Sequence, residues 1–117
     1  MMIIDQPGHV TDRIILLGGK ESCIYLLDGG DEYAILGGGF TYIAKEVMDQ
    51  LERFEIDMKK IKRILILHSH FDHCGIVPWL KRKCPWAEIT ASERTRVILA
   101  RPKVMENIKS LNRMMME

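Results

Sequence analysis

The sequence predicts an α/β fold with a mixed sheet. Three observations lead there. Short β-branched runs separated by glycine-rich turns occupy residues 13–36. An apolar stripe of helical period follows at Ile43, Val47, Leu51 and Phe54. Then comes a continuous apolar run, Arg63-Ile64-Leu65-Ile66-Leu67. A run without polar alternation reads as a strand buried on both faces. Strand, helix and parallel strand in that order make a right-handed crossover.

Composition sets the bounds. At 117 residues the chain is one domain at most. That length buries roughly two-thirds of the unfolded surface, enough for a core. A hydrophobic share of 47% with 28% charged residues is that of an ordinary globular protein. The first ten residues carry neither a basic n-region nor a long apolar stretch, and no run approaches membrane-spanning length. The expected location is cytoplasmic. Cys23, Cys74 and Cys84 are odd in number and lack CxxC spacing, which argues against a disulfide framework or a zinc knuckle. Cys74 adjoins the motif described below; a small buried residue at a helix start is the favoured reading over a ligand. The net charge of +1 hides an asymmetry: residues 1–58 hold 4 basic and 11 acidic side chains, residues 59–117 hold 13 and 5. Attraction between the halves, or acidic surface met by the basic half, is favoured over a face for an anionic substrate. Nucleic acid is disfavoured, because few aromatics interleave with the cations.

Each element has its own signal. Met1 to Asp12 is an entry segment with a Pro7-Gly8 turn and His9 in a solvated loop. Arg13 to Leu17 is a first strand and Cys23 to Leu27 a second. Asp28-Gly29-Gly30-Asp31 turns the chain into a returning strand, Tyr33 to Leu36. Gly37-Gly38-Gly39 lacks the spacing and Lys-Ser/Thr of a phosphate cradle, and reads as a tight strand-to-helix turn beside a pocket. Thr41 is the expected N-cap of a helix reaching about Phe54, whose charged residues cover the face opposite the stripe.

After the central strand, Gly75 to Cys84 reads as a helix with Pro78 in its first turn. Trp79 and Leu80 are expected in the core, and Lys81-Arg82-Lys83 near the C-terminus, opposing the macrodipole as a solvated cap. Glu88 to Ala91 is a short strand. Ser92 caps a helix that Pro102 breaks or kinks. Val104, Ile108, Leu111 and Met115 mark a last helical stripe, and its methionine-rich end wants a partner surface.

The chemistry is concentrated in His68-Ser69-His70-Phe71-Asp72-His73, which holds three of the chain's four histidines. It follows the buried strand directly, at the C-terminal tip where open α/β sheets place their ligands. Neutral imidazole and carboxylate suit zinc or iron. In an extended turn His68 and His70 point the same way and can share one metal, while Asp72 and His73 can face a second. A polar loop that happens to hold three histidines is the plainer alternative.

His68-x-His70-x-Asp72-His73 resembles the HxHxDH signature of the metallo-β-lactamase-fold hydrolases, with a fitting strand before it and Gly75 after it. The segments Cys23–Gly30 and Tyr33–Gly39 resemble that family's opening hairpin, and the likeness runs from about Arg13 to the C-terminus. It implies the N-terminal half of an αβ/βα sandwich, a mixed sheet with helices on one face, with residues 1–117 forming a single partial domain. It implies that His68 and His70 bind metal one, that Asp72 and His73 bind metal two, and that Asp72 orients the attacking water. The implied cofactor is zinc, one or two ions, with iron or manganese as alternatives. In a completed site the metals would hold hydroxide against an ester, thioester, lactam, lactone or phosphodiester. The family adds a further histidine, a bridging aspartate and a last histidine downstream; the 44 residues after His73 contain no histidine. Gly37 stands where the family commonly has aspartate.

Three functions follow from this reading. The first is a metal-dependent hydrolase of that superfamily acting on a small molecule, present here as a truncated or split chain and expected to be poorly active unless a homo-oligomer or a complementary chain supplies ligands. The second is a non-catalytic remnant or interaction module. The third is a flavodiiron-type redox protein, which the residue His70 disfavours because that branch usually has glutamate there.

Overall fold

The structure is a computed structural model and describes residues 6–19, 22–39, 41–67 and 75–116. Six strands form one sheet in sequential order: β1 (Gly8–Thr11), β2 (Ile14–Gly18), β3 (Cys23–Asp28), β4 (Tyr33–Leu36), β5 (Ile61–Ile66) and β6 (Glu88–Ala91). The first four run antiparallel, and β4, β5 and β6 are parallel neighbours. The mixed sheet predicted from the sequence is therefore present. The crossover from β4 to β5 carries a 3-10 turn (Thr41–Ile43), α1 (Ala44–Arg53) and a second 3-10 turn (Met58–Lys60). Three further helices follow the central strand: α2 (Val77–Lys83), α3 (Glu93–Leu99) and α4 (Pro102–Met116).

Strand alternation sorts the sheet into two faces. One row of register partners is Ile15, Leu26, Ile35, Ile64 and Ile89. Its first four members are buried and join Ile43, Val47, Leu51, Leu80 and Ile108 from the helical side in one core. The neighbouring rows face the other way. Leu16, Tyr25, Leu36, Leu65 and Thr90 form one, and Ile14, Leu27, Ala34, Arg63 and Glu88 the next. Of these ten only Leu16 is buried; the other nine are half-buried or exposed, although most of the ten are apolar. The Arg63 guanidinium meets Glu88 at 3.4 Å on that face, an exposed cross-strand pair of small energetic weight.

Four expectations need correction. The entry segment contains a strand: β1 pairs with β2, and the exposed His9 sits in it, opposite Ile15 and edge-on to Phe54 at 6.2 Å. Pro7-Gly8 leads into that strand. Thr41 is not an N-cap. Ile43 precedes α1 in a helical conformation with no side-chain cap bond, because the 3-10 turn already supplies the first turn. The cation Lys81 is not purely solvated, since its ammonium donates to the carbonyls of Pro85 (2.9 Å) and Ala87. The Arg63–Leu67 run is not buried on both faces: Ile64 and Ile66 are buried, whereas Arg63 and Leu67 are exposed and β5 ends at Ile66. The cap and proline signals hold. Ser92 caps α3 by accepting from the Thr95 amide, Pro78 lies in the first turn of α2, and Pro102 begins α4.

Gln50 is a polar residue on the buried stripe of α1. Its Oε1 accepts from the Gly18 amide at 2.7 Å and its Nε2 donates to the Gly18 carbonyl at 2.9 Å. One amide thus satisfies both backbone groups of a buried strand end and pins α1 to β2.

Candidate metal centre

The strand β5 lies between two parallel neighbours and ends at Ile66, so the chain emerges at the C-terminal edge of the sheet's parallel part. Leu67, the next residue, is 64% exposed. His68, His70, Asp72 and His73 lie outside the described residues, as does Cys74. The structure does describe how the chain is held on either side of them.

Both sides are fastened to one turn. The Gly37 amide donates to the Leu65 carbonyl at 2.9 Å, ahead of the motif. Behind it, the Gly75 amide donates to the Gly39 carbonyl and the Ile76 amide to the Gly38 carbonyl, both at 2.8 Å. Thr41 adds a fourth bond, its hydroxyl donating to the Gly75 carbonyl at 2.6 Å. Residues 65 and 75 are therefore clasped by a five-residue stretch at the end of β4. The clasp needs glycine. Gly37 and Gly39 have φ of 90° and 42°, a region that side chains disfavour. A Cβ on Gly39 would also stand 2.7 Å from the Ile43 side chain and 2.8 Å from the Ser22 hydroxyl. The tight turn read from Gly37-Gly38-Gly39 is thus present.

Thr41 and the clasp were not read as site features from the sequence. A hydroxyl residue two places after a glycine run was the available signal, and its more common role as an N-cap masked it. His9 is in β1, four strands from β5, roughly 19 Å at the usual inter-strand spacing. Cys23 is exposed; Cys84 is buried, and burial raises its thiol pKa. Among the described residues no three histidine, cysteine or acidic side chains cluster so as to hold a metal ion. The donor set of the motif itself, three imidazoles and a carboxylate, fits a borderline divalent ion by its chemistry.

Among the described residues no helix is long and apolar enough to cross a membrane. A family model for the metallo-beta-lactamase superfamily matches residues 17–112. Solved structures agree. The chain is similar to MEM-A1, a subclass B3 metallo-beta-lactamase from a soil metagenome library, at 23% identity and a TM-score of 0.73. That match covers 80% of this chain and 35% of the other. A B3 enzyme with an active-site glutamic acid is 27% identical, with a TM-score of 0.70, over 76% and 33% of the two chains. LRA-12, a class B3 di-zinc enzyme from an Alaskan soil metagenome, is 19% identical, with a TM-score of 0.74, over 81% and 36%. The chain spans about a third of the length of these structures.

Proposed function

The chain belongs to the metallo-β-lactamase superfamily, and from that premise we propose that it is a metal-dependent hydrolase component. In this reading residues 1–117 are one partial domain. His68, His70, Asp72 and His73 hold one or two divalent ions, zinc first, with iron or manganese as alternatives. The substrate is a small ester, thioester, lactam or phosphodiester. The unpaired Cys23 and Cys84 suit a cytoplasmic setting.

When bound, such an ion supplies Lewis acidity and lowers the pKa of a coordinated water. The neutral imidazoles of His68, His70 and His73 serve as donors, and they need their nitrogens deprotonated to do so. The Asp72 carboxylate accepts a hydrogen bond from the attacking water and so orients it. The clasp carries this proposal. Four hydrogen bonds tie residues 65, 75 and 76 to the Gly37–Thr41 stretch, so the motif is anchored on both sides to the end of the parallel sheet. Precise anchoring is what a metal site requires of its support.

The H-x-H pair contributes two ligands to one ion, whereas a catalytic zinc normally has three protein ligands. We therefore propose that ligands from outside residues 1–117 complete the site, with a second copy or a complementary chain as one source. The sheet face opposite the core, with Tyr25 exposed and Leu36 and Leu65 half-buried, supports a partner there.

The test is metal per chain, by elemental analysis of the main size-exclusion peak, beside a His68→Ala/His70→Ala control. About one or more zinc or iron ions per chain, lost in the control, is the expected result. Metal no higher than in the control would sink the proposal and leave a non-catalytic module that keeps the fold.

A further inference from the structure

The helical side of the sheet contains a cavity of about 790 Å³, within the usual range for small-molecule sites. Its floor is Ile66, Trp79, Ile89, Met105 and Ile108. The buried row of Ile15, Leu26, Ile35 and Ile64 ends here: Ile89, the fifth member, is 42% exposed. The space lies beside α2, which carries Trp79, and α4, which carries Met105 and Ile108. Gly75 and Thr41 border it, so it adjoins the clasp.

Charge distinguishes this cavity from an ordinary packing gap. Two helices bring cations to it, Lys81 and Arg82 from α2 and Lys109 and Arg113 from α4. No aspartate or glutamate is among the described residues lining it. Lys81 is engaged with backbone carbonyls, but Arg82, Lys109 and Arg113 form no ion pair with any described residue. Like charges gathered around an apolar floor repel one another, and a single anion relieves several such repulsions at once. A guanidinium also offers a carboxylate two parallel donors.

We propose that this cavity binds an aliphatic carboxylate, with its alkyl chain on the Ile89–Ile108 floor and its carboxylate among Arg82, Lys109 and Arg113. The inference does not rest on the metal reading, and no step of its test involves a metal. Of the candidate occupants, an acyl anion matches both the apolar floor and the cations that the described residues bring to the rim. A neutral apolar partner would leave the cations unpaired.

Trp79 provides a local reporter. The chain has two tryptophans, so Trp86→Phe leaves Trp79 alone. Octanoate is titrated into the wild type by calorimetry and into Trp86→Phe by fluorescence. The expected result is saturable one-site binding, with the Trp79 emission shift following the same isotherm. Octanoate should bind about fourfold more tightly per added methylene than hexanoate. 1-Octanol, with the same chain and no charge, should bind at least about tenfold more weakly. The triple variant Arg82→Ala/Lys109→Ala/Arg113→Ala alters exposed side chains only. It should weaken octanoate by about tenfold or more and leave 1-octanol unchanged. Absence of saturable binding, equal affinity for 1-octanol, or an unaffected triple variant would each overturn the proposal. A dimer that persists at saturating octanoate, without a Trp79 response, would assign the groove to a second copy and overturn it as well.

Discussion

Replacing Gln50 by methionine tests the link between α1 and the sheet. Methionine is close in volume and stays apolar, so packing changes little. What disappears is the pair of hydrogen bonds to Gly18, at 2.7 and 2.9 Å. The Gly18 amide and carbonyl then remain buried without a partner, each at a cost of about 1–3 kcal/mol. A total near 2–4 kcal/mol is expected. For 117 residues the unfolding entropy is about 0.25 kcal/mol/K, so the midpoint should fall by roughly 8–16 °C in a thermal melt followed by circular dichroism. Gln50→Glu gives a second reading with a defined sign. An ionised carboxylate faces the Gly18 carbonyl in a buried site, which raises its folded-state pKa above the unfolded value of about 4.3. The folded state then binds more protons, so stability falls as pH rises from about 4 through the folded pKa. The deficit against wild type should be larger at pH 7 than at pH 4. A Gln50→Met midpoint within about 2 °C of wild type, or a Gln50→Glu deficit that does not grow with pH, would refute the reasoning.

Other perturbations test the clasp and the thiols. Gly39→Ala places a Cβ 2.7 Å from Ile43 at a φ of 42°, and should cost about 1–2 kcal/mol from backbone conformation alone, read as a lower unfolding midpoint. Thr41→Val removes the hydroxyl from the Gly75 carbonyl and should cost about 1 kcal/mol. If the motif binds zinc, the same variant should release zinc more readily in chelator competition than an exposed-site control such as Lys45→Ala. In native protein, iodoacetamide should modify the exposed Cys23 and spare the buried Cys84, which becomes reactive only on unfolding, as peptide mass mapping would show. Because burial raises the Cys84 pKa, unfolding releases its proton more easily. Its contribution is intact below the free-thiol pKa, about 8.5, and is lost as pH rises beyond it. A Cys84→Ala variant, although less stable overall from lost packing, should show a shallower alkaline decline in urea midpoint.

The antiparallel strands β2 to β4, the crossover helix, the central strand and the last helices are legible in the sequence because each is a local pattern. A period of two, a period near four, or a glycine pair between them requires only neighbouring residues. The motif His68–His73 is legible for the same reason, since its chemistry is packed into six consecutive positions. β1 is missed because Gly8 follows Pro7 and reads as a turn signal, and pairing with β2 rather than propensity makes Gly8–Thr11 a strand. Thr41 is misread because a threonine before a helix has two uses, and the competing acceptor, the Gly75 carbonyl, lies 34 residues away.

Tertiary structure alone decided where those pieces meet. Gln50 looks like one polar residue among others on α1, and only the packing of α1 on β2 brings it to Gly18, 32 residues earlier. The clasp joins the end of β4 to both sides of the motif because parallel pairing sets those backbones side by side. The apolar face opposite the core follows from strand register, and the cationic cavity from two helices, α2 and α4, that β6 and α3 separate in the chain. Sequence determines which side chains are available and which face each element offers, because both are local. Hydrogen bonds and charges that converge across 30 or more residues are determined by chain closure, and closure is a property of the folded sheet.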